Sequence, residues 1–412
     1  MRPSEIRQLI KTKPVELDAT RRRLSACHDI ADLRAAGRRL TPRPVFDYVD
    51  GGADEELSVR ANTRAFRRWR FQPRALVNVS EADTSAAFLG SVAPLPLVLA
   101  PTGYTRMMHP DGEIAAARAA QRHGLPYTLS TMATTTIEAV AEAVSSQPAG
   151  PDRPPGHPDL WFQLYILRDS GLNKELVDRA AAAGYRVLVV TVDCFVTGHR
   201  SRDRRNGLVI PPELTARTLA SIAGKPGYWI RMLRNPAIGF ANFTGHSAVT
   251  IEGTGSLFNP AITWDDIADL RARWPGRLVI KGPLSPADAA HAVSMGADGV
   301  QLSNHGGRQL DRTVPPVDTI TMVREAVGPD VSVLVDSGVR HGSDIAVALA
   351  LGADACAIGR AYLYGLMAGG QRGVDKALDI LAAQFKRTMQ LLGVRSVAEL
   401  RSHGHELLAE EE

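Results

Sequence analysis

Short apolar runs recur along most of the chain and alternate with helical patterns. From residue 96 onward each run is rich in β-branched residues and ends in polar or glycine residues. These runs predict strands at 96–102, 126–130, 160–165, 186–193, 277–282, 299–304, 331–338 and 355–360. Because the runs are apolar almost throughout, both faces of each strand should be buried, as in a parallel sheet.

Helical patterns lie between these strands, at 111–124, 171–184, 285–296 and 342–352. Several of them end on glycine, the usual residue of a left-handed helix cap. Eight strand–helix units are the number found in a closed barrel. A doubly wound sheet is disfavoured because no G-x-G-x-x-G turn follows any of the strands. The predicted fold is therefore α/β, a (β/α)8 TIM barrel.

Two regions interrupt the alternation of strands and helices. Residues 1–90 are helical and irregular, and they are predicted to pack on the barrel as an N-terminal segment. The barrel is assigned to 91–395, and 396–412 to a C-terminal tail. Within the barrel, the connection 194–276 is far longer than the others, and connections of that length are usually functional. It is interpreted as an active-site lid with a surface excursion.

The composition limits the possible functions and locations. With 48 Lys+Arg and 44 Asp+Glu, the net charge is only +4, which gives little support to nucleic-acid binding. Cys27, Cys194 and Cys356 lie far apart, so neither a disulfide framework nor a metal site is expected. The first residues lack the apolar core of a signal peptide. No apolar stretch reaches the roughly 18 residues of a spanning helix, and a cytoplasmic protein is expected.

Polar side chains collect where the predicted strands end. In a barrel these ends meet at one face, and the loops that follow them carry the chemistry. The residues at these positions are Thr102, Ser130, Gln163, Tyr165, Thr191, Asp193, Lys281, Ser303, Asn304, His305, Asp336 and Arg360. A structural barrel needs caps and turns, but it does not need a lysine, an imidazole and two carboxylates at one mouth. Together these residues predict an active site.

The segments 336–342 and 358–360 follow the seventh and eighth strands, where barrels commonly bind phosphate. Their glycines let backbone N–H groups approach an anion, and Arg340 and Arg360 could add charge-assisted hydrogen bonds. The alternative interpretation is that the glycines cap helices and the arginines are exposed.

Lys281 ends a predicted buried strand, where a lysine needs an anionic partner. Beside the N1/C2 edge of a flavin, its ammonium would stabilise the negative charge of the reduced ring. A Schiff-base lysine, as in barrel aldolases, is the alternative.

His305 directly follows another strand, in the run SNHGGRQLD (303–311). Asp193 ends a third strand and could orient the imidazole and raise its basicity. Gly306 and Gly307 allow a tight turn and are expected to leave room over a planar ring. Arg308 can bind a carboxylate through two hydrogen bonds. A base, its orienting acid and a carboxylate clamp are what oxidation of a 2-hydroxy acid requires.

Several further motifs accompany SNHGGRQLD. They are APTG…HPDGE (100–113), FQLY (162–165), TVD…R (191–200), KG (281–282), DSGVRHGSD (336–344) and GRAYLYGLMAGG (359–370). With these motifs the chain, from about residue 40 to 400, resembles the FMN-dependent L-2-hydroxy-acid dehydrogenase/oxidase family, which includes glycolate oxidase, lactate oxidase and mandelate dehydrogenase. It looks most like the bacterial quinone-linked L-lactate dehydrogenases. The resemblance implies FMN as cofactor and oxidation of a small L-2-hydroxy acid, foremost L-lactate to pyruvate.

The resemblance also implies a role for each site residue. His305, partnered by Asp193, would accept the hydroxyl proton as the Cα hydrogen passes to flavin N5 in a hydride-type transfer, with a carbanion route left open. Arg308, Arg200 and the Tyr48 hydroxyl would hold the substrate carboxylate, and Tyr165 would bond the substrate oxygen. The residues expected to contact FMN are Pro101, Thr102, Gly103, Ser130, Gln163, Thr191, Lys281, Ser303, Asp336, Ser337, Gly338, Arg340, Gly359 and Arg360.

Two positions that vary in the family bear on the acceptor and the substrate. Gly103, on the expected N5 side of the flavin, is alanine in other members, which leaves the reactivity with oxygen open. Met132 stands where glycolate oxidase has tryptophan. A thioether is apolar and adaptable, so this position suits a small substituent such as the lactate methyl group.

The electron acceptor is expected to be a quinone, oxygen or a soluble carrier. The segment KPGYWIRMLRNPAIGFANF (225–243) mixes apolar, aromatic and basic residues. It is interpreted either as a peripheral contact with the inner face of the cell membrane, near a quinone, or as a packed lid or subunit contact. The resemblance implies a homotetramer.

Three alternatives to this function remain at the level of sequence. An oxygen-using 2-hydroxy-acid oxidase or a lactate 2-monooxygenase would share the FMN barrel. An aldolase would form a Schiff base on Lys281. A non-catalytic basic binding barrel would be colourless, whereas the flavoenzyme should be yellow.

Overall fold

A computed structural model describes residues 16–146, 159–206, 220, 223–243 and 254–411. The strands are β1 Trp69–Phe71, β2 Ala86–Phe88, β3 Ser91–Ala93, β4 Leu97–Leu99, β5 Tyr127–Ser130, β6 Leu160–Tyr165, β7 Val187–Thr191, β8 Arg277–Gly282, β9 Gly299–Leu302, β10 Ser332–Val335, β11 Ala355–Ile358 and β12 Leu408–Glu410. The helices are α1 Ala19–Ser25, α2 Ile30–Leu40, α3 Arg43–Asp50, α4 Leu57–Phe66, α5 Thr105–Met108, α6 Gly112–Arg122, α7 Ile137–Ser145, α8 Ser170–Ala182, α9 Ser201–Asn206, α10 Pro226–Leu233, α11 Thr254–Leu257, α12 Trp264–Arg273, α13 Pro286–Ser294, α14 Ile320–Val327, α15 Gly342–Ala350, α16 Arg360–Gly369, α17 Gln371–Leu392, α18 Val397–Ser402 and α19 Gly404–Leu407.

Strands β4 to β11 form a closed barrel in which neighbours along the chain are neighbours in the sheet. Every pair is parallel, and β11 closes the barrel by pairing with β4. Helices cover the outside and side chains fill the inside, so a strand such as β7 is buried at every position. The eight predicted strands and the (β/α)8 barrel are confirmed.

The predicted barrel helices are confirmed as α6, α8, α13 and α15. The glycine that follows each of them has a positive φ, between 64° at Gly124 and 111° at Gly352. Any other residue would be strained there. The glycines in the sequence therefore located the ends of these helices correctly.

The N-terminal segment contacts both ends of the barrel. At the end where the strands begin, the hairpin of β2 and β3 approaches β10, and the Leu89 N–H donates to Ser332 Oγ at 3.1 Å. At the opposite end, the Ala53 N–H donates to the Gly307 carbonyl at 2.8 Å. The segment thus supports the loop that follows β9, which carries the predicted base.

The predicted C-terminal tail is an ordered part of the fold over its described residues. It forms α18, α19 and β12, and β12 pairs antiparallel with β1, with Trp69 opposite Glu410. The C-terminal residues are therefore joined to the N-terminal segment by a small sheet that is separate from the barrel.

The predicted excursion 194–276 is longer than the irregular connection observed. Its last part, α12, is the regular barrel helix between β7 and β8, and it begins with a capping box formed by Thr263 and Asp266. This helix was not recognised because residues 254–263 before it mix glycine, proline and aromatics. Residues 207–219, 221–222 and 244–253 of the excursion lie outside the described residues.

The segment 225–243 packs on the barrel through one side only. The Tyr228 hydroxyl donates to the Met107 carbonyl at 2.7 Å, and Phe240 and Phe243 are buried. On the other side of α10, Ile230 and Leu233 are 48% and 82% exposed. Within the described part of the chain, no helix is both long enough and apolar enough to span a membrane.

Candidate active site

A deep cleft opens at the end of the barrel where the strands finish. Its empty space, counted together with the open solvent at its mouth, is about 1340 Å³. Every residue to which the resemblance gave a role in catalysis, substrate binding or FMN binding lines this cleft, except Asp193, Gln163, Thr191 and Ser303. These four lie directly behind lining residues and contact them or pair with them in the sheet.

The imidazole of His305 is held between a carboxylate and a phenol. Its Nδ1 lies 3.1 Å and 3.3 Å from the two carboxylate oxygens of Asp193, which follows β7. Its Nε2 lies 3.4 Å from the hydroxyl of Tyr165, the last residue of β6. With Nδ1–H donated to Asp193, the lone pair of Nε2 is directed into the cleft. This is the arrangement of a general base and its orienting acid.

The surroundings keep His305 neutral and Asp193 charged. Burial lowers the pKa of His305, and the nearby Lys281 ammonium acts in the same direction, while Asp193 opposes both. Burial disfavours the charge of Asp193, but His305 and Lys281 outweigh it and lower the pKa of the carboxyl to about 2. A neutral imidazole beside an ionised carboxylate is the form that can accept a proton.

Three non-glycine residues of the cleft adopt the left-handed backbone conformation: Tyr104, His305 and Ser337. His305 is fixed in this conformation by a hydrogen bond from its N–H to Ser303 Oγ at 3.0 Å. The Ser337 hydroxyl accepts the Gly306 N–H at 2.9 Å. Such conformations are concentrated at functional sites because the surrounding structure must hold them.

Two guanidinium groups flank the ring of Tyr48 at the mouth of the cleft. The Arg308 guanidinium carbon lies 4.9 Å from the ring centroid and that of Arg200 lies 5.8 Å from it. Arg308 donates to the carbonyls of Tyr48 and Gly51, which fixes its direction. Burial and the neighbouring Arg200 lower the pKa of Arg308, while the Asp203 carboxylate, 3.8 Å from Arg200, acts in the opposite direction.

Lys281 is the last charged residue of β8 and is 4% exposed. Its Nζ lies 3.9 Å from Asp336 Oδ2, and that carboxylate oxygen also accepts the side-chain amide of Gln301 at 2.7 Å. Burial acts against the ammonium charge, but Asp193 and Asp336 raise the pKa of Lys281 above its usual value. A charged lysine therefore faces the cleft from the barrel interior.

Two buried polar atoms beneath the cleft have no hydrogen-bond partner among the described residues. They are Nε2 of Gln163 and Oγ1 of Thr191. Gln163 is oriented by the Ser130 hydroxyl, which donates to its Oε1 at 3.0 Å, and Thr191 pairs with Lys281 in the sheet. Because buried polar groups are almost always paired, these atoms indicate that a polar ligand completes the site.

The glycine-rich segments after β10 and β11 border the opposite part of the cleft. Gly338 has a φ of 122°, and a Cβ there would lie 2.3 Å from the Asn62 carbonyl oxygen. Arg340 and Gly359 line the cleft. Arg360 also lines it, but its guanidinium already donates to the carbonyls of Val49, Gly306 and Gly51. These three hydrogen bonds use three of its five N–H donors and hold the surrounding loops together, and its expected contact with FMN stays a prediction.

The two glycines after His305 serve close packing against the protein itself. A Cβ on Gly306 would lie 2.7 Å from Arg360 Nη1, and one on Gly307 would lie 2.7 Å from the Val59 nitrogen. Both residues also have positive φ angles. The expected tight turn is confirmed, and the expected role of leaving room over a planar ring stays a prediction.

The rest of the run SNHGGRQLD joins its loop to distant elements. Asn304 and Asn62 exchange two amide hydrogen bonds, at 2.7 Å and 2.8 Å. Gln309 donates to the carbonyls of Asp193 and Val196, which connects the loop after β9 with the loop after β7. These contacts hold the two loops that carry the base and its acid.

Asp311 ends the run and accepts three backbone N–H groups at the start of α4, from Glu55, Leu57 and Ser58. We expect Asp311→Ala to lower the free energy of unfolding by about 1–3 kcal/mol, because these donors lose a charged acceptor. Urea unfolding followed by circular dichroism measures the effect. Asp311→Asn keeps one acceptor oxygen, so its free energy of unfolding should lie between those of wild type and Asp311→Ala. Equal stability of all three proteins would contradict this role.

Tyr104, Cys194, Phe240 and Phe258 are among the cleft-lining residues that were not predicted from the sequence. Tyr104 and Phe240 contact each other with ring centroids 4.5 Å apart, and Phe258 lies 5.2 Å from the ring of Tyr165. All of them line the cleft. The only signal for the two phenylalanines was their place in the predicted lid, and Cys194 was visible only as the neighbour of Asp193.

Comparison with known proteins agrees with this geometry. Residues 37–406 match a family model described as FMN-dependent dehydrogenase. A protein of Mycobacterium tuberculosis (strain ATCC 25618 / H37Rv), named provisionally as an L-lactate dehydrogenase, is 44% identical over 399 residues, which are 97% of this chain and 94% of that protein. The (S)-mandelate dehydrogenase of Pseudomonas putida is 37% identical over 376 residues, or 90% and 92% of the two chains.

Solved structures agree with the sequence relatives. A crystal structure described as that of the monotopic membrane protein (S)-mandelate dehydrogenase has a TM-score of 0.86 and 36% sequence identity. The match covers 94% of this chain and 100% of that chain. The chain therefore belongs to the FMN-dependent dehydrogenases, a family of oxidoreductases that use FMN as their cofactor.

Proposed function

We propose that the protein oxidises a small L-2-hydroxy acid, foremost L-lactate to pyruvate, and passes the electrons to a quinone or another acceptor. The observation that carries the proposal is the His305 imidazole, oriented by Asp193 at 3.1 Å, in the same cleft as the Arg308 and Arg200 guanidinium groups. A 2-hydroxy acid carries a hydroxyl group beside a carboxylate. The imidazole would accept the proton of the hydroxyl, and the guanidinium groups would bind the carboxylate.

The residues of the cleft fit FMN as the cofactor. The unpartnered Gln163 Nε2 and Thr191 Oγ1 would bond the polar edge of its ring, and the Lys281 ammonium would face the edge that becomes negative on reduction. The glycine-rich loops after β10 and β11, with Arg340, would hold its phosphate. When bound, FMN supplies the acceptor for the two electrons and the hydrogen that leave the substrate carbon.

The chain's own side chains would divide the remaining tasks. Arg308 and Arg200 would bind the substrate carboxylate, and their guanidinium carbons lie 4.9 Å and 5.8 Å from the Tyr48 ring centroid. His305 Nε2 would accept the proton of the substrate hydroxyl, while Asp193 stabilises the imidazolium that forms. The Tyr165 hydroxyl, 3.4 Å from Nε2, would bond the same substrate oxygen.

The substituent of the acid would contact Met132 and the aromatic wall of Tyr104, Phe240 and Phe258. An adaptable methionine suits the methyl group of lactate. The aromatic wall favours a second candidate, an aryl-substituted acid of the kind that the related (S)-mandelate dehydrogenase acts on by its name. Such a ring would stack edge-to-face on these side chains.

The test is anaerobic bleaching of the bound flavin by a panel of L- and D-2-hydroxy acids. Rapid bleaching by L-lactate, slower bleaching by (S)-mandelate and none by the D-acids would support the proposal. Faster bleaching by (S)-mandelate would favour the second candidate, and no bleaching by any acid would reject both. Reoxidation of the reduced protein by oxygen or by a quinone analogue, in a stopped-flow instrument, separates the dehydrogenase from an oxidase or monooxygenase.

We further propose a peripheral contact between α10 and anionic lipid, where a quinone is within reach. Ile230 and Leu233 are exposed beside Arg231 and Arg234, a mixture that suits a membrane interface.

The homotetramer predicted from the resemblance remains a prediction.

Leu233→Glu is expected to reduce sedimentation of the protein with anionic phospholipid vesicles, because it places a negative charge on the exposed apolar face of α10. Leu391→Glu is the matched control, since Leu391 is also exposed but lies on α17. Equal sedimentation of wild type and Leu233→Glu would reject the contact.

The pH dependence of kcat/KM should report the base. Because burial and Lys281 lower the pKa of His305, the neutral form persists below the ordinary histidine value of about 6.5. We therefore expect kcat/KM for L-lactate to fall only at a pH below this value. Asp193→Asn removes the group that raises this pKa, so the fall should move to still lower pH. A fall that begins above pH 7 would contradict the assignment.

A further inference from the structure

The thiol of Cys194 lies beside the proposed base but has no part in the proposed reaction. Its Sγ lies 3.3 Å from Asp193 Oδ1 and 3.7 Å from His305 Nδ1. Those two atoms are themselves 3.1 Å apart. The three atoms thus form a small triangle at the edge of the cleft. One is a thiol sulfur, one an imidazole nitrogen and one a carboxylate oxygen.

This triangle has the size of one face of a zinc coordination tetrahedron. A point equidistant from the three atoms lies about 2.0 Å from each, and zinc bonds measure about 2.0–2.2 Å to nitrogen and oxygen and about 2.3 Å to sulfur. An ion slightly above the plane would therefore reach all three ligands without movement of the backbone. Cys194 and His305 line the cleft, so a water molecule can take the fourth position.

We propose that Cys194, Asp193 and His305 form an inhibitory binding site for a soft divalent cation such as Zn²⁺ or Cd²⁺. Thiolate, imidazole and carboxylate are ligands that these ions accept together. Binding breaks the S–H bond of Cys194, whose proton leaves to solvent, and forms the metal–sulfur bond. No electron is transferred.

Binding would also change the tautomer of His305. A neutral imidazole that binds a metal through Nδ1 must carry its proton on Nε2. Nε2 is the atom that lies 3.4 Å from the Tyr165 hydroxyl and faces the cleft, so it could then donate a proton but not accept one. This inhibitory effect rests on the proposed role of His305 as base. It should lower kcat and leave KM nearly unchanged, because the metal does not bind to Arg308 or Arg200, the proposed carboxylate clamp.

The charges around the site permit a dication. Thiolate and carboxylate together carry two negative charges, and Lys281 is the ammonium that interacts with all three ligands. Its single positive charge repels the metal ion but does not cancel the two negative charges of the ligands. Lys281 should therefore weaken metal binding relative to the same three ligands without a neighbouring cation.

The first experiment measures binding without turnover. Cd²⁺ is titrated into the FMN-loaded protein, and the thiolate-to-cadmium charge-transfer absorption is followed in the ultraviolet difference spectrum, with calorimetry for the stoichiometry. We expect one site per chain and binding weakened at least about 10-fold in Cys194→Ser, Cys194→Ala and His305→Gln. His403→Gln is the matched control, because His403 Nδ1 lies 3.2 Å from Glu406 in an exposed pair. It should bind as wild type does.

The second experiment measures inhibition of flavin reduction by L-lactate, each variant being compared with its own metal-free rate. Zn²⁺ should lower the wild-type rate at least 10-fold at saturation and leave Cys194→Ser nearly unaffected. If the charge-transfer band is absent, or if Cys194→Ser binds the metal as tightly as wild type, the proposed metal site is wrong. If the metal binds but does not slow flavin reduction, the proposed effect on His305 is wrong. Failure of the proposed function is visible separately, as metal-free His305→Gln protein that still reduces its flavin.

Discussion

The His305→Gln protein is expected to retain FMN and to reduce it with L-lactate about 10²–10⁴-fold more slowly than wild type. Positioned general bases contribute roughly this factor, and glutamine has no lone pair of comparable basicity. FMN should stay bound because the groups proposed to hold it, such as Lys281 and Gln163, lie on other strands. The rate is measured by stopped-flow absorbance under anaerobic conditions.

Two further variants test whether the effect is specific to His305 and its partner. His405→Gln changes an imidazole whose side chain is 79% exposed, far along the chain in α19, and it should reduce FMN at the wild-type rate. Asp193→Asn should also slow reduction, because the amide no longer stabilises the imidazolium. A His305→Gln protein that reduces its flavin at full speed would show that another group takes the proton.

The second large effect is expected at the carboxylate clamp. Arg308→Met should lower kcat/KM for L-lactate by about 10- to 150-fold, since each hydrogen bond to a charged group contributes about 1.5–3 kcal/mol. Most of the change should appear in KM, because the clamp holds substrate before and during the reaction. Steady-state kinetics with a quinone analogue would measure both parameters.

Arg308→Lys should be impaired less than Arg308→Met, because lysine keeps the charge but cannot bind a carboxylate with two parallel hydrogen bonds. Arg312→Met is the matched control, four residues along the same loop and with a 75% exposed side chain. A large loss in Arg312→Met, or none in Arg308→Met, would remove Arg308 from the clamp.

The barrel could be predicted from the sequence because its signals are local. Each strand is a short apolar run, and each predicted helix is followed by a glycine with a positive φ. The cleft residues could be predicted for the same reason, since the strand ends of a barrel must meet at one face. His305, Lys281 and Tyr165 were located in this way without knowledge of any contact.

Contacts between distant segments could not be predicted. The sequence suggested a phosphate contact for Arg360, but it gave no sign that Arg360 also donates to the carbonyls of Val49, Gly51 and Gly306, two of which lie more than 300 residues earlier. Phe240 and Phe258 reach the cleft from a long connection without regular periodicity. Such partners depend on the path of the loops through space, which neither composition nor periodicity determines.

The geometry around Cys194 shows the same limit. In the sequence the cysteine is a lone thiol, and only the fold brings His305 Nδ1 to 3.7 Å from its sulfur. The motif that carries the base was recognisable, whereas the ligand set beside it required coordinates.

The bond between Asp311 and the start of α4 links residues 253 to 256 positions apart. During synthesis, at roughly 5–20 residues per second, the first turn of α4 leaves the ribosome roughly 10–50 s before its acceptor exists. The loop that carries His305 can therefore reach its final backbone conformation only late in folding, after this slow long-range closure. The catalytic loop therefore cannot be joined to α4 until at least 311 of the 412 residues have been made.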